Sequence, residues 1–259
     1  KVTIDGGTVL ATGAKSTVIS NDSNGNLLDI RSGSIQSNPT NATTITAKAI
    51  DSTSPISMSG GNISASGQYA VKFSSGSATS FSMTGGTISY NAHVSYSYCV
   101  YISGGLFTMN GSSALIKCEA DLNSAVYLNN GGRFDLINGK IWTVTQMSGS
   151  TGVTINSTAS TFNMSGGTIQ NDDVGDSEMN YDAIGVSVSA GKFIMTGGYI
   201  KISNPTDDTY GVYNSASSSG TVTIGASNNT TNKPKIEPSF DDGNGYSIYN
   251  NGLQSSSSS

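Results

Sequence analysis

One short motif, repeated along nearly the whole chain, limits the fold more than any other feature. Its clearest copy is Phe81-Ser82-Met83-Thr84-Gly85-Gly86-Thr87-Ile88. The same order returns at Phe162, Met164, Gly166-Gly167 and Ile169, and at Phe193, Met195, Gly197-Gly198 and Ile200. Looser copies start at Val2, Ile56 and Phe134, and degenerate ones at Leu28, Phe107 and Val222. Aligned on the Met position, the copies stand at Ile4, Ile30, Met58, Met83, Met109, Leu136, Met164, Met195 and Ile224, 25 to 31 residues apart. Five of the seven Phe residues (Phe81, Phe107, Phe134, Phe162, Phe193) fall at one repeat position. A fixed period of this length marks an architecture in which each unit buries its apolar face only against its neighbours.

A second apolar segment follows each motif, as in Tyr69-Ala70-Val71-Lys72-Phe73, Tyr98-Cys99-Val100-Tyr101-Ile102 and Tyr210-Gly211-Val212-Tyr213. Its alternation has the period of two that a half-buried strand requires, and no segment carries a helical period. Gly-Gly, Asn-Gly and Ser-Gly pairs supply the bends. Two strands per repeat, stacked at about 4.8 Å, predict an all-β solenoid of about nine rungs with ~27 residues each, Phe on Phe and Met on Met along the axis. Residues 1–252 form its single domain, and the Ser-rich end 253–259 reads as a tail or linker.

Composition narrows the function. Charged residues are 11% of the chain, against about 25% in an ordinary domain. Regularly spaced Val, Ile, Phe and Tyr argue against disorder, and the lack of Ala/Leu/Glu/Lys periodicity excludes a helical bundle. No apolar run of about 18 residues exists to cross a membrane as a helix. A net charge of −5 with no basic cluster speaks against nucleic acid. Cys99 and Cys118 are too few for a disulfide framework and read as free thiols. The chain starts at Lys1 with no signal segment and is taken as a piece of something longer, with further domains expected in the parent protein.

The Gly-Gly-x-Ile rungs resemble those of the right-handed parallel β-helix, the pectate-lyase-like architecture, and of bacterial surface proteins and adhesins. The resemblance implies a secreted or cell-surface location. It also implies one of three roles: polysaccharide lyase or hydrolase, carbohydrate-binding module, or adhesive stalk. Fold alone does not choose among them. β-Helical polygalacturonases carry N-T-D, D-D, G-H-G and R-I-K motifs. Here only the D-D element is present, and the sole His, His93, stands in Asn91-Ala92-His93-Val94 without flanking glycines. A lyase base would be Arg or Lys; neither Arg31 nor Arg133 lies in the acidic part of the chain, and Lys192 and Lys201 are nearer.

Two groups of residues are candidate sites. Tyr101, Tyr127, Tyr213 and Tyr249 have the phase opposite to the inward Val and Ile, so they are expected to face outward as rows that stack on sugar rings. Tyr90 and His93, in the preceding loop, would widen that platform. By the same alternation Tyr69, Tyr98, Tyr210 and Tyr246 are expected inside. The second group is acidic: residues 172–242 hold ten acids against four Lys. Asp172, Asp173, Asp176, Asp207 and Asp208 are candidate oxygen ligands for Ca²⁺. The reading these features support is a non-catalytic extracellular surface module, adhesive or binding a polysaccharide or host glycan through its side wall. The alternatives are a lyase or hydrolase acting on acidic glycans in the acidic loops, and a purely structural stalk.

Overall fold

A computed structural model of the chain describes all residues except 23–24, 40–45, 75, 77–78, 92–96, 120–123, 146–149, 174–181, 205–207, 216–218, 226–232, 241–243 and 251–259, with residues 145, 173, 204 and 240 described by backbone alone. Among the described residues every regular element is a β-strand. All strand pairs in the two sheets are parallel and join each segment to its equivalent one repeat away. The chain is an all-β parallel solenoid of stacked coils.

The motif does not form one straight strand. In four copies the Gly pair bends the chain, so Phe-x-Met and x-Ile-x become separate segments, as at Ser80–Met83 and Thr87–Tyr90. Four copies run through the bend as one long strand, such as Leu106–Cys118. These segments form two adjoining walls of a 14-stranded sheet. The expected second strand of each repeat forms the third wall, a nine-stranded sheet running from Thr17–Asn21 to Gly245–Asn250. The turn depends on the second glycine of each pair. Gly86 has φ +84°, and a Cβ there would lie 2.7 Å from the carbonyl oxygen of Gly60 in the coil beneath.

The columns named from the sequence fill the interior. Phe81 pairs in register with Phe107, Phe107 with Phe134, Phe134 with Phe162, and Phe162 with Phe193. The ring centroids of these successive pairs are 4.3, 5.4, 5.1 and 5.1 Å apart. The Met column (Met58, Met83, Met109, Leu136, Met164, Met195) and the Ile column are equally sealed from solvent. Each such side chain contributes about 1.5–3 kcal/mol by burial, but only because the next coil covers it.

The third wall departs from simple alternation. Its strands bury two residues in succession: Ala70 and Val71, Cys99 and Val100, Ala125 and Val126. The first of each pair is skipped in the strand register, which marks a kink at that residue. Along the axis this position is Val18, Ala49, Ala70, Cys99, Ala125, Gly152, Gly185, Gly211 and Ser247. Between the first and last coils it holds only Ala, Cys or Gly, because the kink drives the backbone against the facing wall. A Cβ on Gly185 would meet Ile200 Cγ2 and Gly211 O, each at 2.5 Å.

Candidate binding face

The kink decides where the tyrosines point. With two inward residues in a row, Tyr98 and Tyr101 both lie on the outer surface, although they are three residues apart. The expectation that Tyr69, Tyr98 and Tyr246 are core residues is therefore corrected: all three are half-buried on the outside, and only Tyr210 is nearly covered. Strict alternation failed because it allowed no kink at Cys99 and its equivalents.

Tyr101, Tyr127, Tyr213 and Tyr249 occupy the outer wall as expected, and their neighbours complete two clusters. In the first, Tyr98 stacks on Tyr127 at 4.2 Å and Tyr101 on Tyr127 at 5.7 Å, while Tyr69 lies 5.3 Å from Tyr101. In the second, Tyr210 stacks on Tyr246 at 5.2 Å and Tyr213 on Tyr249 at 5.3 Å, each pair within 7° of parallel. Rings stacked along the axis cover one another's faces and present edges and hydroxyls outward. Free faces remain only at the cluster ends.

Between the clusters the same two outward columns carry Ser and Thr, with Ile184 the one larger residue. One column reads Tyr98, Ser124, Thr151, Ile184, Tyr210, and the other Tyr127, Thr154, Ser187, Tyr213. Tyr127 and Tyr213 are thus three strand spacings apart, about 14 Å. The floor between them is lined with hydroxyls, and the Ser124 and Thr154 hydroxyls are hydrogen-bonded at 2.7 Å. The result is a trough across the wall with aromatic sides and a floor of mostly Ser and Thr, whose described residues carry no charge.

Burial and packing raise the pKa of Tyr69, Tyr98 and Tyr127 above the ordinary phenol value. Tyr210 is raised by burial first and then by the nearby carboxylates of Asp182 and Asp208. These phenols stay neutral and serve as hydrogen-bonding groups.

Tyr90 does not belong to this face. It ends the strand Thr87–Tyr90, is 1% exposed, and its hydroxyl donates to the Gly67 carbonyl at 2.6 Å. The strand runs on to Tyr90 with an even spacing from Ile88, which turns the ring inward rather than into a loop. His93 lies outside the described residues.

The acidic candidates divide in the same way. Asp176 and Asp207 lie outside the described residues, and Asp173 is described by backbone alone. The Asp172 carboxylate accepts from Trp142 Nε1 at 2.9 Å and from Gln170 Nε2. The Asp208 carboxylate accepts from the Tyr210 hydroxyl at 3.1 Å and from the Asn244 backbone N–H at 2.8 Å. Asp172 and Asp208 thus serve different local networks, and among the described residues no three His, Cys, Asp or Glu side chains gather as a metal site would. Lys192 and Lys201 fall on opposite sides of the Gly197-Gly198 bend, in separate strands.

Trp142, also exposed in part, is held between two cations, Lys140 at 4.4 Å and Lys117 at 5.0 Å from its ring. Cys99 and Cys118 are buried and form no disulfide. Burial raises the Cys99 thiol well above its usual pKa, so it stays protonated and unreactive.

Comparison of the chain with known protein families, with curated proteins and with solved structures finds no match.

Proposed function

We propose that this chain is a non-catalytic polysaccharide-binding module of a secreted or cell-surface protein, and that the trough between the two tyrosine clusters is its site. The observation that carries the reading is the pairing of Tyr127 and Tyr213 across a floor of Thr154 and Ser187. A sugar ring offers an apolar C–H face and a rim of hydroxyls. Aromatic sides match the first, and Thr, Ser and Tyr hydroxyls match the second. With no charged residue among the described residues of its floor, and with the Asp182 and Asp208 carboxylates beside Tyr210, the trough suits a neutral glycan better than an acidic one.

The test is retention on immobilised neutral and acidic polysaccharides, with Ca²⁺ and with EDTA. Retention of a neutral glycan, uncleaved and insensitive to EDTA, is expected, together with its loss in Tyr127→Ala and Tyr213→Ala. Loss of retention in EDTA would move the site to the acidic loops near Asp172 and Asp208. Cleavage would make the chain an enzyme, and no retention on any glycan would leave the stalk.

A further inference from the structure

Ile137 departs from its column. The residue after the Met position is Thr84, Asn110, Ser165 and Thr196 in the four neighbouring coils, all polar. Ile137 is 42% exposed, and among the described residues it is the one exposed large hydrophobic away from the first and last coils. Two coils further on, Tyr199 departs as well. It is the only aromatic residue in a column that runs from Thr8 through Asn62, Thr87 and Thr168 to Lys235.

These two residues line one cavity. Its volume is about 530 Å³, within the range of about 300–1,000 Å³ usual for small-ligand sites. It lies at the glycine bend between the two walls of the 14-stranded sheet. The strands of Ile137 and Tyr199 stand two spacings apart, about 10 Å. Between them the floor is bare backbone, because the intervening coil has Gly166-Gly167 there.

The far end of the cavity is cationic, lined by Lys233 and Lys235. Lys235 Nζ sits 4.8 Å over the Tyr199 ring and 2.9 Å from the Glu237 carboxylate, which also accepts from the Tyr199 hydroxyl. The Tyr199 hydroxyl and the Lys235 ammonium hold the Glu237 carboxyl below its usual pKa, and Glu237 in turn fixes the ring and the ammonium in place. Lys201 pairs in register with Glu237 and adds a third cation. Among the described residues Lys233 has no carboxylate partner, so the lysines outnumber the one acid beside them and positive charge is left over.

We propose that this cavity is a second binding site, on a different wall from the tyrosine trough, for a sugar residue that carries a sulfate or phosphate ester. Ile137 and Tyr199 offer apolar and aromatic surface to the C–H face of the sugar ring. The lysines select the anion. Ammonium groups are point charges with rotatable donors and suit a tetrahedral ester with oxygens in several directions, whereas a planar carboxylate is matched by an Arg fork, which this cavity lacks. The site does not depend on what the trough binds.

Calorimetric titration of the 259-residue chain with glucose-6-sulfate, glucose-6-phosphate, glucose and sodium sulfate tests the site. One or both esters are expected to bind at least about tenfold more tightly than glucose or sodium sulfate, because the charged contact and the ring contact add. Which ester binds identifies the source of the anion. Lys233→Gln, and Ile137→Ser, which restores the polar residue of the next coil, should each weaken ester binding about tenfold. Both variants should keep the melting temperature, and Tyr127→Ala should bind the ester as before. No ester binding, equal binding of glucose or of sodium sulfate, or full ester binding by both cavity variants would overturn the proposal.

Discussion

At the residue scale the fold rests on positions where one atom too many cannot be placed. Gly185 sits where the kinked strand meets Ile200. Gly185→Ala is expected to lower stability by about 1–3 kcal/mol through overpacking, measured by urea unfolding. Ala at Cys99 is the informative contrast, because a small residue is already tolerated there, and a near-neutral effect is expected. Phe134 lies in mid-column between Phe107 and Phe162. Phe134→Ala should cost about 3–5 kcal/mol. The buried Asn171 side chain donates to the Ser150 and Ile184 carbonyls and accepts from the Ser150 hydroxyl. Its removal would leave those groups unpaired, a penalty of about 1–3 kcal/mol.

At the element scale the third wall decides what the molecule can bind, and here sequence reading stopped short. The Phe, Met and Ile columns were legible because large apolar residues stand out in a chain so rich in Ser and Gly. The kink column was not. Ala70, Cys99 and Gly185 look like background, although three unlike residues at one repeat position share only smallness. Without the kink, period-two alternation put Tyr98 inside and left the trough invisible. Tyr90 was misplaced for the opposite reason: plain alternation from Ile88 buries it, but its polar surroundings in sequence suggested a loop.

The tyrosine clusters carry a pH signature. The folded-state pKa values of Tyr69, Tyr98, Tyr127 and Tyr210 are raised. Their contribution to stability is therefore complete below the unfolded phenol value of about 10 and is lost as pH climbs above it. Ultraviolet titration should show a late-ionising group of tyrosines whose titration coincides with loss of the folded signal, and Tyr98→Phe should reduce that group.

At the scale of the whole molecule, stability is a sum over coils and their contacts. Excising residues 134–161 removes one full period, since Arg133 pairs with Thr161 and Phe134 with Phe162. The shortened chain is expected to fold with a lower melting temperature and to keep a strand-type circular dichroism spectrum. The same excision removes Thr151 and Thr154 from the floor and brings Tyr127 one coil nearer to Ser187, so glycan retention should fall sharply while the fold survives. A shortened chain that folds and still binds would place the site elsewhere.

Every ladder of backbone hydrogen bonds in this molecule joins one coil to the next, and so lies along the stacking axis. That geometry has a mechanical meaning. Tension applied between the two ends of the chain does not shear many bonds at once. It opens the outermost coil like a zipper, a few bonds at a time, and then presents the next coil to the same load. Each coil of about 27 residues would release roughly 90 Å of chain, and the force record would be a train of low, nearly equal steps. A wall that meets its ligand from the side would keep its inner coils intact while the ends give way under strain.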